Sequence, residues 1–243
     1  MSNTNSNGYT MVFAIGMCVV VSSVLALLAN VLKPMQLAAK EFDRQKNVMR
    51  AAGLIEVADP RPREELEQLF KDRIVETIID TDSGEPVTDA EEAAKKRAEN
   101  PLRYRSVATS KDEAGKQTAV ILPISGKGLW STIKGYLALE ADQNTVKGVT
   151  FYEHGETPGL GGEVENPQWT GQWVGKKILG KDGALVSIIV KKGQVDDGVA
   201  REKRHYVDGL AGATITSNGV TKFVKRDIKV FAAYLEKNGT RKQ

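Results

Sequence analysis

Residues 11–32 contain no charged side chain and are rich in Val, Leu, Ala and Met. No other stretch restricts the folding of this chain so strongly. About 22 residues at ~1.5 Å per residue make a helix of ~33 Å, the thickness of a bilayer's hydrocarbon core. The run is apolar on all faces, so it does not read as a half-buried helix of a soluble domain. A secretory signal would need a basic segment before a shorter apolar stretch. Residues 1–10 carry no basic side chain, and the apolar run is too long. The reading is a short tail (1–10) followed by a transmembrane helix (11–32).

Composition narrows the remainder. The formal net charge of +3 is too small to point to nucleic acid. One cysteine, Cys18, excludes an intrachain disulfide and cannot by itself hold an iron–sulfur cluster or a structural zinc. Lys33, Lys40, Arg44, Lys46 and Arg50 all follow the apolar run. The positive-inside rule alone would leave the following domain in the cytoplasm.

Past the apolar run, residues 33–52 continue as a helix, with Leu37, Phe42, Met49 and Ala52 on one side and Gly53 as its stop. This gives a helical stalk at 33–58. Residues 62–72 read as a helix, 74–79 as a strand, and the charged, Ala-rich 89–100 as an exposed helix. Strands are expected at 118–124, 134–139, 146–152 and 185–190. The turn-like residues 140–144 should join two of them as an antiparallel hairpin. Val220, Phe223, Val224, Ile228, Phe231 and Leu235 recur at helical spacing, so a last helix is expected from about Ser217 to Lys237, ended by Asn238-Gly239. The fold class is α+β: a single N-terminal transmembrane helix, then one soluble domain (59–243) with a mainly antiparallel sheet and flanking helices.

Two segments carry chemistry. The first is Asp208-Gly209-Leu210-Ala211-Gly212-Ala213-Thr214. It leads into the last helix, whose N-terminus offers unpaired N–H groups and a positive dipole end to a phosphate. Thr216 and Ser217 add hydroxyls, Gly212 and Ala213 allow close approach, and Thr214 is stiff at χ1. Taken alone, the same pattern also suits an ordinary helix cap. The second segment is His154-Gly155-Glu156-Thr157-Pro158-Gly159-Leu160-Gly161-Gly162-Glu163. Its glycines and proline make a tightly turning loop able to present backbone N–H groups to an anion or a flavin edge. Glu156 and Thr157 could bond to ring or ribityl groups, and Leu160 could lie against the ring. The loop lacks the ending of a Walker motif. His154 and Glu156 are too few for a metal site. A third segment, Ile124 to Thr132, presents Trp130 between turn residues. That residue suits either stacking on a flavin or burial in a core. Trp169 and Trp173 are spaced for helix packing.

Together these segments resemble the FMN-binding domain of the NqrC family, the flavin-bearing subunits of the Na+-translocating NADH:quinone reductase. The resemblance spans nearly the whole chain. It implies FMN held covalently through a phosphoester to Thr214, with Asp208 as the motif aspartate read by a flavin transferase that moves FMN from FAD. The implied FMN site comprises Trp130, Glu156, Thr157, Leu160, Gly161, Gly212, Ala213, Thr216 and Ser217, with no catalytic residue and no metal. Ala211 stands where the family usually has Ser or Thr. The resemblance further implies membership of a six-subunit inner-membrane complex that oxidises NADH, reduces ubiquinone and exports Na+. The domain would face the periplasm, against the charge pattern. The RnfG family, from the related ferredoxin:NAD+ reductase (Rnf) complex, shares the anchor and threonine motif. The Trp130 segment and the stalk look more like NqrC. A membrane-tethered binding domain without cofactor is the alternative from another class.

Overall fold

The structure is a computed structural model that describes residues 7–238. Its contacts divide the chain into two units, Met1–Arg44 and Gln45–Gln243. Helix α1 (Asn7–Ala51) runs through the first unit and into the second. It starts four residues before the apolar run and continues past Pro34, which has no N–H to give the carbonyl of Asn30. Among the described residues it is the one helix long and apolar enough to cross a membrane, and its apolar window is wholly unburied. Val12, Phe13, Ile15, Val19, Leu25 and Leu28 are all exposed, which fits a membrane anchor whose solvent is lipid.

The last turns of α1 belong to the folded unit, where Val48, Met49 and Ala51 are buried. The helix stops in a Schellman motif. Gly53 takes φ +69°, its N–H donates to Arg50 O, and the N–H of Leu54 donates to Met49 O. Helix α2 (Arg63–Arg73) leads directly into strand β1 (Ile74–Asp80). Helix α3 (Ala90–Glu99) is N-capped by the Asp89 carboxylate and precedes β2 (Tyr104–Lys111). Strands β3 (Gln117–Lys127), β4 (Thr132–Glu140) and β5 (Val146–Glu153) complete an antiparallel meander in the order β1-β2-β3-β4-β5. The expected hairpin over 140–144 is the β4–β5 connection.

A 3-10 turn (Gly161–Glu165) and helix α4 (Pro167–Gly171) follow. Strand β6 (Ile189–Val190) pairs in parallel with β7 (Tyr206–Val207), with α5 (Ala200–His205) between them. Helices α6 (Thr214–Val230) and α7 (Ala232–Asn238) end the described chain. Both faces of the sheet are covered. Val120, Leu122, Ile133, Leu137, Val149 and Phe151 point to one core with α6, Trp169 and Trp173. On the other face, Gly148 lies so close to the end of α1 that a Cβ there would sit 2.5 Å from Ala51 O.

The structure corrects three expectations about elements. Only Ile189 and Val190 of the segment 185–190 are strand, because Ser187 adopts φ +75° and breaks the run. Strand β2 is an addition to the expected set; its Tyr-Arg-Ser-Val-Ala-Thr-Ser-Lys sequence lacks apolar alternation and is held by neighbours on both sides. The last helix begins at Thr214 rather than Ser217 and is interrupted at Phe231. Its expected end at Gly239 lies outside the described residues.

Candidate functional site

Helix α6 lies on β3 at a separation that only glycine permits. A Cβ on Gly126 would lie 2.2 Å from Phe223 Cβ, and one on Gly219 would lie 2.3 Å from Lys127 O. Buried Asp227 fastens the contact by accepting the N–H of Ser125 at 2.8 Å. This packing brings the start of α6 beside the turn between β3 and β4, where Leu129, Trp130 and Ser131 sit.

Three hydroxyls cluster at the start of α6, and they differ in role. Thr216 is 1% exposed and donates to Glu156 Oε2 at 2.6 Å. Ser217 is buried, and its Oγ accepts the N–H of Leu210 at 3.3 Å. Thr214 is exposed, and its hydroxyl has no partner among the described residues. The N-cap, Ala213, offers no side-chain cap. The first intrahelical N–H to find a carbonyl is that of Ser217, on Ala213 O. The N–H groups of Thr214, Ile215 and Thr216 are therefore unpaired among the described residues, and an ordinary cap is not what this Thr/Ser-rich start makes.

The glycine loop approaches from the other side. The N–H groups of Leu160 and Gly162 both donate to Thr157 O, closing a tight turn with Gly159 at φ +73°. Thr157 and Leu160 are exposed, whereas Gly161 and Gly162 are buried. Leu160 lies over Gly212, where a Cβ would come within 2.8 Å of Leu160 Cδ2. Gly212 itself takes φ +68°, open to glycine and strained for other residues. Trp130 is 68% exposed, which decides between its two readings: it is not a core residue. With Leu129, Leu160 and Ile215 it leaves apolar surface exposed around the site.

Glu156 is 6% exposed. Its Oε1 accepts the N–H groups of Trp130 and Ser131, and its Oε2 accepts Leu129 N–H and the Thr216 hydroxyl. Burial is the largest influence on this carboxyl and pushes its pKa up; the hydrogen bonds outweigh it together and hold the group below its ordinary value. The expectation that Glu156 bonds directly to a flavin is therefore not what its side chain is arranged for. His154 turns away from it: its Nε2 lies 3.5 Å from Glu165 Oε2. Asp208 is also engaged. It accepts Val195 N–H at 2.7 Å and Gln172 Nε2 at 3.1 Å, while its carbonyl takes Trp169 Nε1 at 2.8 Å. Trp169 and Trp173 pack edge to face at 5.5 Å, inside the core as expected from their spacing.

The structure thus gathers Trp130, Glu156, Thr157, Leu160, Gly161, Gly212, Ala213, Thr214, Thr216 and Ser217 about one helix start. Sequence reasoning missed Leu129 and Ser131, which act through backbone N–H groups, and Ile215. It also missed Gln172 and Val195, the partners of Asp208. The Gly126–Gly128 spacing was the available signal for the first pair; nothing in the sequence marked the second.

Residues 128–229 match the FMN-binding domain family, which fixes the class: a flavin-binding domain behind a long apolar helix. Relatives match it over most of their length. The chain is 40% identical over 241 residues to the C-chain component of the Na(+)-translocating NADH-quinone reductase of Pseudomonas aeruginosa, covering 90% of each. It is 36% identical over 242 residues to the Pasteurella multocida counterpart, covering 92% of this chain and 90% of the relative. The crystal structure of Shewanella oneidensis NqrC superposes with a TM-score of 0.69 at 32% identity, over 82% of this chain and 98% of that one. That of the Parabacteroides distasonis counterpart gives 0.66 at 27% identity, over 84% and 96%. The chain belongs to the NqrC family of the Na(+)-translocating NADH-quinone reductase.

Proposed function

We propose that this chain is the FMN-carrying subunit of a Na+-translocating NADH:quinone reductase, with FMN joined by a phosphoester to Thr214. One observation carries the attachment. Of the three clustered hydroxyls, Thr216 and Ser217 are engaged inside the protein, and Thr214 alone is exposed and unpartnered at an uncapped helix start. A phosphate esterified there would meet three unpaired N–H groups and the positive end of a 17-residue helix. The exposed Trp130, Leu160 and Ile215 would give the ring apolar surface to lie on.

Loading is a group transfer from FAD. Thr214 Oγ attacks the flavin-side phosphorus, the pyrophosphate bond breaks, AMP leaves, and the hydroxyl proton is released. A dedicated flavin transferase brings Thr214 and FAD together, with the Asp208 motif as its recognition sequence. Bound FMN would supply reversible uptake of single electrons, each one received being passed to the next centre of the complex. The chain's own residues hold the phosphate, orient the ring and set the polarity around it. Residues 11–32 would anchor the protein in the inner membrane beside five other subunits, with the 59–243 domain on the periplasmic side.

Purification of the protein from its native host tests this directly. A fluorescent band at the mass of this chain on a denaturing gel, and a Thr214 peptide heavier by one FMN less one water, are expected. An unmodified Thr214 peptide overturns the attachment. Protease treatment of spheroplasts tests the orientation: degradation of the domain supports the periplasm, and protection overturns it.

A further inference from the structure

We infer that Glu156 is a positioning residue: one buried carboxylate fixes the Trp130 turn against the first turn of α6, and so governs where the ring of a Thr214-linked flavin lies and the charge it meets. The flavin part of this inference rests on the reading of Thr214 as acceptor.

The geometry is specific. A carboxylate has about four lone-pair directions, and Glu156 fills them with Trp130 N–H at 2.9 Å, Ser131 N–H at 3.1 Å, Leu129 N–H at 3.1 Å and Thr216 Oγ1 at 2.6 Å. Three consecutive N–H groups converging on one anion form the kind of concavity that otherwise binds phosphate. Here a side chain of the protein occupies it. Two motif glycines make room for that side chain. A Cβ on Gly128 would lie 2.6 Å from Glu156 Oε1, and one on Gly161 would lie 2.8 Å from both Glu156 Oε2 and Thr216 Oγ1. A second link runs alongside, since Ser131 Oγ accepts Gly155 N–H at 2.6 Å. The exposed Trp130 and the exposed Thr214 are therefore each close in sequence to a group bonded to the same carboxylate.

The electrostatic consequence follows. A negative charge buried beside the attachment helix opposes the arrival of an electron nearby and offsets part of the helix's positive end. Removing the charge while keeping the side chain's shape should make the flavin easier to reduce.

The test uses the full-length chain in detergent, produced with and without the flavin transferase. In the unmodified protein, hydrogen exchange resolved to single amides should show Leu129, Trp130 and Ser131 protected despite their exposed turn. Glu156→Ala should remove all three protections. Glu156→Gln keeps an oxygen for Trp130 and Ser131 but turns its NH2 toward Leu129 N–H, so it should lose only Leu129. Unprotected amides in the wild type, or amides still protected in Glu156→Ala, would overturn the positioning role. In the modified protein, Glu156→Gln should raise the flavin midpoint potential, whereas Thr216→Val, which keeps the charge, should shift it less. Equal potentials in Glu156→Gln and wild type would overturn the electrostatic role. An unmodified Thr214 peptide in the wild type would instead overturn the acceptor reading and the flavin part with it; the exchange measurement still reads the turn in that case.

Discussion

The glycine loop from His154 to Glu163 and the turn from Asp208 to Ser217 both bring a carboxylate and hydroxyl groups to the same site, yet they orient them differently. In the glycine loop the carboxylate of Glu156 points inward and is fully bonded, while Thr157 and Leu160 stay exposed. In the second turn Asp208 is bonded to Val195 and Gln172, Thr216 and Ser217 are buried, and only Thr214 faces out unpartnered. Residue type alone would have made all of these groups ligands. What separates holding from reacting is the number of partners each group already has, because a satisfied buried polar atom has little to offer a newcomer.

The contrast breaks most visibly at the hydroxyls. Thr214→Ala should abolish covalent flavin altogether, seen as loss of the fluorescent band, and Thr214→Ser should restore it. Thr216→Val should leave modification at Thr214 in place. It removes a hydrogen bond to a buried carboxylate, so it should cost about 1.5–3 kcal/mol of stability in denaturant unfolding. Loss of the flavin band in a folded Thr216→Val protein would erase the distinction between the two threonines.

A smaller effect is expected from the glycines. At Gly209 a Cβ would lie 2.2 Å from Lys191 O, a backbone atom that cannot swing aside. Gly209→Ala should cost roughly 1–3 kcal/mol, the usual range for overpacking. By contrast Gly159→Ala meets no atom within 4 Å. Its cost should come only from the φ of +73°, on the order of 1 kcal/mol. Thermal midpoints of the two variants would rank them.

Much of this was legible in the sequence, and the limits are instructive. Helices α2 and α3 and strands β1, β3, β4 and β5 follow from periodicity, because each has one apolar face and clear boundaries. Strand β2 escaped because Val107 is its only large apolar residue, and its burial depends on flanking strands that are distant in sequence. At the site, residue types and spacing are visible in the sequence. Thr214, Trp130 and Leu160 came to one locus through a resemblance to known proteins. That Glu156 points into the protein was not visible, because it depends on three N–H groups about 26 residues away and a hydroxyl 60 residues away. Asp208 poses the same problem, since its partner Gln172 lies 36 residues upstream.

The smallest effect sharpens the comparison through pH. Hydrogen bonds hold Glu156 below its ordinary value of 4.5 against the opposing push of burial. A carboxyl whose folded pKa lies below its unfolded one binds fewer protons when folded. Its contribution to stability is complete above the unfolded value and is lost as pH falls through the folded one. Other carboxyls contribute in the same direction, since Arg103 lowers Asp80 and Lys191 lowers Glu202. The informative quantity is therefore the difference between wild type and Glu156→Gln, which cancels those groups. That difference should be flat above about pH 5.5 and shrink as pH drops below 4.5, because protonated Glu156 and glutamine are both neutral. A difference that stays constant down to the acid limit would mean that the carboxylate's charge does not stabilise the turn, and that shape alone separates Glu156 from the exposed residues beside it.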